Sequence, residues 1–323
     1  MATKFDPDVL TIAPEKELQK LSQFIIEQTA RVYRRKGAVV GLSGGIDSAV
    51  IAAVCVHALS KDKVVGLVLP EKETNPVSCR FACAHAEAMG IEHKIVDITD
   101  TVASVFSYEE RDSFIQSLVP EYSPGDKYNI SLPVDLLERD AINFYNLQVK
   151  LPNGGLAKKR LNLAEFRTIT SFANIKIRAR MLHLYAEAER RSLVVAGTTN
   201  RTEFILGDFC KYGDGGTDIE PLSYLYKKQI YQLAEYLSVP PEIINRRPSP
   251  DTFSLPVSDQ EFFFRIPFDK LDYLLYGWEH EIPAETVAGA IAISPEAGLR
   301  AYKDFSLKNR ATAHLREMPH TIE

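Results

Sequence analysis

The stretch VVGLSGGIDSAV at residues 39–50 decides the fold, because it runs from a short apolar strand through a glycine pair into a helix. Ser43-Gly44-Gly45-Ile46-Asp47-Ser48 forms the turn between the two. Consecutive glycines let the backbone adopt positive φ and bring its N–H groups close to an anion. The helix that follows adds the positive end of its dipole. The hydroxyls of Ser43 and Ser48 can donate to phosphate oxygens, at about 1.5–3 kcal/mol for each charge-assisted bond. Asp47 repels a bare phosphate, so its chemistry suits a Mg²⁺ ion bridging to a polyphosphate. The bland reading of such a fragment is a tight turn with a capped helix. The whole hexapeptide in its strand–loop–helix setting favours nucleotide binding. No Gly-Lys-Ser/Thr ending follows, so it is not a Walker A loop.

Working outward, residues 17–36 carry apolar positions at helical spacing, Ala38–Leu42 is a strand and Ile46–Leu59 a helix. Val64–Leu69 and His93–Asp97 are further strands separated by a helix at Pro76–Met89, and Leu193–Ala196 is a fourth short apolar run. Unbroken apolar strands alternating with helices predict an α/β fold, a doubly wound and mostly parallel sheet covered by helices on both faces. Ligands of such sheets bind at the C-terminal strand edge. Between about 107 and 165 the periodicity fails, and PNGG at 152–155 marks a β-hairpin within an excursion. A long helix at Phe166–Arg191 returns the chain to the sheet. We therefore expect one domain over 1–251 with the inserted excursion, and a mostly helical appendage over 252–323.

The 323 residues, 45% hydrophobic and 25% charged, suffice for a sizeable core, and the net charge of −5 argues against a broad nucleic-acid-binding face. The sequence has no apolar run long enough to span a bilayer and no secretory leader in its first residues, so no membrane partner and a cytoplasmic location are expected. Cys55, Cys79, Cys83 and Cys210 read as free thiols rather than as a zinc site.

A second segment, GTTNRTEFILGDFCKYGDGGTDIEP at 197–221, opens at a strand end. Glu203 lies one helical turn past Thr199, where its carboxylate can face Asp47 across the sheet edge; its alternative is a capping box with Thr199 or Asn200. Two carboxylates converging on one site suit Mg²⁺. Asn174 and Arg178 share one face of the long helix, in a stretch crowded by Lys176, Arg180, Arg190 and Arg191 that otherwise reads as an ordinary charged face.

The 43–48 loop resembles the SGGxDS loop of the ATP pyrophosphatases, enzymes that adenylylate a substrate and release pyrophosphate. KYGDGGTD at 211–218, with NIKIRAR at 174–180, YKKQ at 226–229 and RPSPD at 247–251, resembles the NAD synthetase family over roughly 17–106 and 166–251. The resemblance implies an adenine nucleotide alpha hydrolase-like fold. It also implies ATP as a substrate held by Ser43, Gly44, Gly45, Asp47, Ser48, Thr198, Lys211, Lys227 and Ser249. Asp47, Glu203 and Asp214 would hold Mg²⁺; Asn174, Arg178, Lys211 and Asp218 would bind deamido-NAD; and Asp47, Lys227 and Asp218 would serve the chemistry.

The implied reaction is attack of the nicotinate carboxylate on the ATP α-phosphorus, followed by attack of ammonia on the acyl-adenylate to give NAD and AMP. Because no glutaminase domain precedes the first strand, free ammonia or a separate glutaminase is the expected nitrogen source. The resemblance also implies a homodimer with sites at the subunit interface. The excursion and appendage keep alternatives open, chiefly a paralogue that amidates a different carboxylic acid. A tRNA-modifying member is disfavoured by the acidic charge and the absence of CxxC pairs, and a catalytically inactive binding protein by the retention of Asp47, Glu203 and Asp214.

Overall fold

The computed structural model describes residues 5–134, 136–139 and 144–322. Parts of the expected domain (1–4), excursion (135 and 140–143) and appendage (323) lie outside the described residues. Helix α1 (Pro14–Glu27) runs into a π-helical turn at Gln28–Val32 and then strand β1 (Gly37–Gly41). Helix α2 (Ile46–Leu59), β2 (Val64–Val68), α3 (Pro76–Met89), β3 (Glu92–Ile95) and α4 (Thr99–Val105) follow. The sheet is parallel in the order β3-β2-β1-β7, with β7 at Leu193–Ala196. The parallel, helix-covered sheet expected from the sequence is the one observed.

The strand sequences explain this arrangement. β2 and β7 are buried along their whole length, as apolar strands between two helical layers must be. β3 carries Glu92 and Lys94 and sits at the edge, where charge discourages pairing with another chain. One face of the sheet packs on α1, on α2 and on α8 (Lys227–Tyr236). The other packs on the long α6 (Leu163–Arg191) through Ala179, Met181, Leu184 and Ala188. From β1 the chain winds one way to β2 and β3, while β7 lies on the other side. The loops after β1 and β7 thus leave neighbouring strands at a topological switch point.

The excursion is more structured than its sequence suggested. It contains helix α5 (Tyr108–Leu118), opened by a Ser107–Glu110 capping box, and an antiparallel sheet of β4 (Lys127–Ser131), β5 (Asn146–Lys150) and β6 (Leu156–Arg160). The hairpin expected around PNGG is β5–β6. A buried ionic network ties the excursion to the main sheet. Lys176 of α6, only 2% exposed, donates to Glu71 at 2.9 Å and Glu73 at 2.7 Å. Arg111 of α5 pairs with the same Glu73 at 2.6 Å, and Tyr108 donates to Glu71 at 2.7 Å. Lys176 is therefore not part of a solvated charged face. Lys176→Met is expected to lower unfolding free energy by about 3–5 kcal/mol, because it leaves buried Glu71 with only the Tyr108 hydroxyl and Glu73 with only Arg111. Denaturant melts would read this, and a change below about 1 kcal/mol would show that the network relaxes.

Toward the C-terminus, α7 (Arg201–Leu206) and α8 precede a short α9 (Pro241–Ile244). Helices α10 (Phe268–Glu279), α11 (Ala284–Ala290) and α12 (Pro295–Ala311) follow. Their apolar faces share one core with Phe5, Leu10, Leu206 and Tyr226. In packing terms the expected appendage is thus continuous with the first and central parts of the chain.

Candidate active site

The loop after β1 is built as its glycines require. Gly44 has φ +73°, and a Cβ there would collide with the Ser78 carbonyl oxygen. Ser48 Oγ donates to the Gly45 carbonyl at 2.9 Å and lies 3.0 Å from Ser43 Oγ, while the Gly45 N–H donates to Ser43 Oγ at 3.2 Å. Gly45 is the N-cap of α2 and offers no side chain to satisfy the first N–H groups of that helix. Those donors, with the helix dipole, make this turn a cradle for an anion.

The loop after β7 brings the second half of the site. Asn200, fully buried, caps α7 and donates to Asp47 Oδ1 at 3.0 Å. Glu203 completes the capping box through Oε2, which accepts from the Asn200 N–H at 3.1 Å. Its other oxygen faces Lys227 Nζ at 3.3 Å. The cap and the site-facing carboxylate are therefore the same residue. Lys227, 4% exposed at the start of α8, reaches Asp47 Oδ2 at 2.5 Å. Burial works against its charge, but Asp47 and Glu203 outweigh burial and hold it firmly protonated. Burial pushes Glu203 well above the usual carboxylate range against the pull of Lys227, and the charges of Asp47, Asp208 and Asp259 push it the same way. One lysine thus faces several carboxyl groups, oxygen donors of the kind a divalent cation takes. Mg²⁺ commonly takes one or two carboxylates and completes its shell with phosphate and water. Asp47 and Glu203 offer two such oxygens, both turned to Lys227, and among the described residues no group of three His, Cys, Asp or Glu side chains is arranged to hold a metal.

The remaining candidates are dispersed around this centre. Asp214 lies in the glycine-rich loop with Oδ1 accepting from the Cys210 N–H at 2.7 Å, and burial raises its pKa. Asp218 accepts from the Val195 N–H at 2.8 Å and from Tyr185 Oη at 3.1 Å, so it braces β7. Lys211 Nζ donates to the His314 carbonyl at 2.7 Å, and its own carbonyl accepts from Arg178 Nε at 3.2 Å. Asn174 is half-buried one turn before Arg178, and Thr198 is half-buried at the end of β7. Ser249, exposed, lines a cavity of about 760 Å³ between the β2–α3 loop, the excursion and residues 246–261.

Sequence reasoning missed three contributors. Asn200 was weighed only as a cap. The α12 region caps the C-terminal end of α7: Asn309 and Arg316 donate to the Ile205 carbonyl and Thr312 to that of Leu206. The third is Glu220, which accepts from the Thr199 N–H at 3.1 Å and from Thr217 Oγ1 at 2.7 Å, close against Gly197. Burial pushes its pKa from 4.5 up to about 8. Folding therefore retains a proton on Glu220, and its stabilising contribution is complete below pH 4.5 and declines as pH rises to about 8. Glu220→Gln should flatten that part of the stability profile, gaining on the parent in thermal melts between pH 5 and 9. Parallel profiles for the two proteins would refute this assignment.

The sequence model of the family described as NAD synthase matches residues 17–121 and 133–319. This match extends the resemblance through the helical C-terminal region. An NH(3)-dependent NAD(+) synthetase of Mesorhizobium japonicum is 38% identical over 312 residues, covering 96% of this chain and 97% of the relative. Among solved structures, an NMN synthetase from Francisella tularensis superposes with a TM-score of 0.68 at 22% identity, covering 96% of this chain and 99% of that one. An NH3-dependent NAD synthetase from Campylobacter jejuni gives 0.63 at 23% identity, over 97% and 100%. At such identities these two structures bear on the fold alone.

Proposed function

This chain belongs to the NAD synthase family, and on that premise we infer that it amidates the nicotinate carboxylate of deamido-NAD to NAD. It is a ligase that forms a carbon–nitrogen bond at the expense of ATP, with ammonia as the nitrogen donor. The observation that carries this reading is the convergence of Asp47, Glu203 and Lys227 at the mouth of an anion cradle.

A carboxylate is inert toward ammonia because its carbonyl carbon is electron-rich and oxide is a poor leaving group. Transfer of adenylate to the carboxylate oxygen supplies AMP as the leaving group and frees pyrophosphate. The Ser43–Ser48 turn holds the departing pyrophosphate through the α2 N–H groups and two hydroxyls. Lys227, kept cationic by Asp47 and Glu203, answers the charge that grows on the bridging oxygen. Asn200 fixes the second oxygen of Asp47, so the carboxylate cannot swing. Asp47 and Glu203 are the residues that would hold Mg²⁺, which when bound neutralises triphosphate charge. Holding both substrates in line at this turn would supply much of the rate.

The four cysteines are unpaired, which supports a reducing, cytoplasmic setting. No helix among the described residues is long and apolar enough to cross a membrane. The homodimer is proposed on the family resemblance, and light scattering would test it. Arg178 is hydrogen-bonded to the Lys211 carbonyl, and Asn174, Arg178 and Lys211 are proposed to contact the dinucleotide. Purified protein with ATP, Mg²⁺, ammonium and deamido-NAD should yield NAD and AMP. Pyrophosphate release with another acid but not with deamido-NAD would overturn the acceptor assignment.

A further inference from the structure

Arg246 follows α9 and reaches back to the loop after β1, far away in sequence. Its Nη1 donates to the Gly44 carbonyl at 3.1 Å and its Nη2 to Ser78 Oγ at 2.7 Å. Ser78, in the first turn of α3 and only 2% exposed, donates in turn to Asp251 Oδ2 at 2.8 Å. The chain of contacts therefore joins the 246–251 segment, α3 and the pyrophosphate cradle.

The Gly44 carbonyl and the Gly45 N–H belong to one planar peptide and point in opposite directions. With its oxygen drawn to Arg246, that peptide turns its N–H into the loop, where it now meets Ser43 Oγ at 3.2 Å. A peptide between two glycines has little steric preference for this orientation over its flip. The flipped form would present a carbonyl oxygen to an anion and lose a donor. Asp47 already supplies negative charge here, so the orientation of a single amide bears strongly on anion affinity.

We propose that Arg246 is a positioning residue for the adenylylation step, holding the Gly44–Gly45 peptide with its N–H toward the pyrophosphate. Through Ser78 and Asp251 it makes that orientation depend on the 246–251 segment being seated against the loop. The inference rests on the assignment of the Ser43–Ser48 turn as a pyrophosphate cradle. It extends that assignment to a residue which need not touch substrate.

Inorganic pyrophosphate is the probe, through its inhibition constant and by calorimetry with the full chain. Arg246→Ala is expected to weaken pyrophosphate binding and raise KM for ATP about ten- to a hundredfold, the loss of a charge-assisted hydrogen bond. KM for deamido-NAD should stay within about twofold if only the cradle is disturbed. Arg246→Lys keeps the charge but cannot grip both acceptors, so it should fall between the parent and the alanine variant. Added guanidinium ion should partly restore the alanine variant.

Unchanged pyrophosphate affinity in Arg246→Ala overturns the proposal, as does a lysine variant equal to the parent, which would reduce Arg246 to a simple charge. An equal rise in both KM values with a fall in melting temperature also overturns it, by showing a merely structural role. If Arg246→Ala fails to fold, Ser78→Ala removes the guanidinium's second anchor and should weaken pyrophosphate binding severalfold; no change there is equally fatal. Failure of the parent protein to bind pyrophosphate would instead refute the cradle, and so separates the two readings.

Discussion

Lys227→Met is expected to reduce kcat by about 10²- to 10³-fold with saturating substrates, the effect of removing one preorganised donor at a developing charge. The lysine is buried between Asp47 and Glu203, so its removal also leaves two carboxylates facing each other. Loss of a buried ionic partner costs about 3–5 kcal/mol, which denaturant titration in the presence of a chelator should register. The two measurements separate the roles. A stability loss with kcat within tenfold of the parent would make Lys227 a counter-ion only. A fall in kcat without loss of stability would mean that water or another cation takes its place in the resting protein.

Gly44→Ala should be nearly as damaging, for a reason of shape. At φ +73° any β-carbon is strained, and this one meets the backbone oxygen of Ser78 rather than a side chain that can move. The loop must then shift, and a displacement of about 1 Å at a positioning element costs on the order of 10²-fold in rate. Gly45→Ala is the control. Its φ is −97°, and its β-carbon would meet only Ser43 Oγ at 3.2 Å, a hydroxyl that can rotate away. We expect kcat/KM to fall at least a hundredfold further in Gly44→Ala than in Gly45→Ala. Equal effects would show that the loop is read through its length and not through its left-handed residue.

What the sequence disclosed follows from how locally each feature is encoded. The 43–48 loop, the four parallel strands and the helix at Ile46–Leu59 are contiguous patterns, and all were legible. Helix α5 was not, because its apolar positions are sparse, although the Ser107–Glu110 capping box was in plain view. Lys176 looked like one cation among five; nothing local says that Glu71 and Glu73 will close over it. Glu203 was read as either a cap or a site carboxylate, and the structure uses one oxygen for each task. Arg246 and Glu220 were invisible for a common reason. Each acts on a loop that only the parallel sheet brings near, and a sequence pattern carries no record of such a meeting.

The pairing of β1 with β7 has a consequence of another kind. Val39 lies opposite Val195, so forming this one ladder closes a loop of about half the chain. Closure entropy grows only logarithmically, about 0.6 kcal/mol for each doubling of length, but it must be met before the ladder returns anything. Within that loop the hairpins of the excursion pair neighbour with neighbour, and such local contacts form early. Once folded they replace tens of flexible residues by one rigid segment, so the two strands search a shorter tether. Folded first, the insertion would cost the closing ladder less than a flexible stretch of the same length.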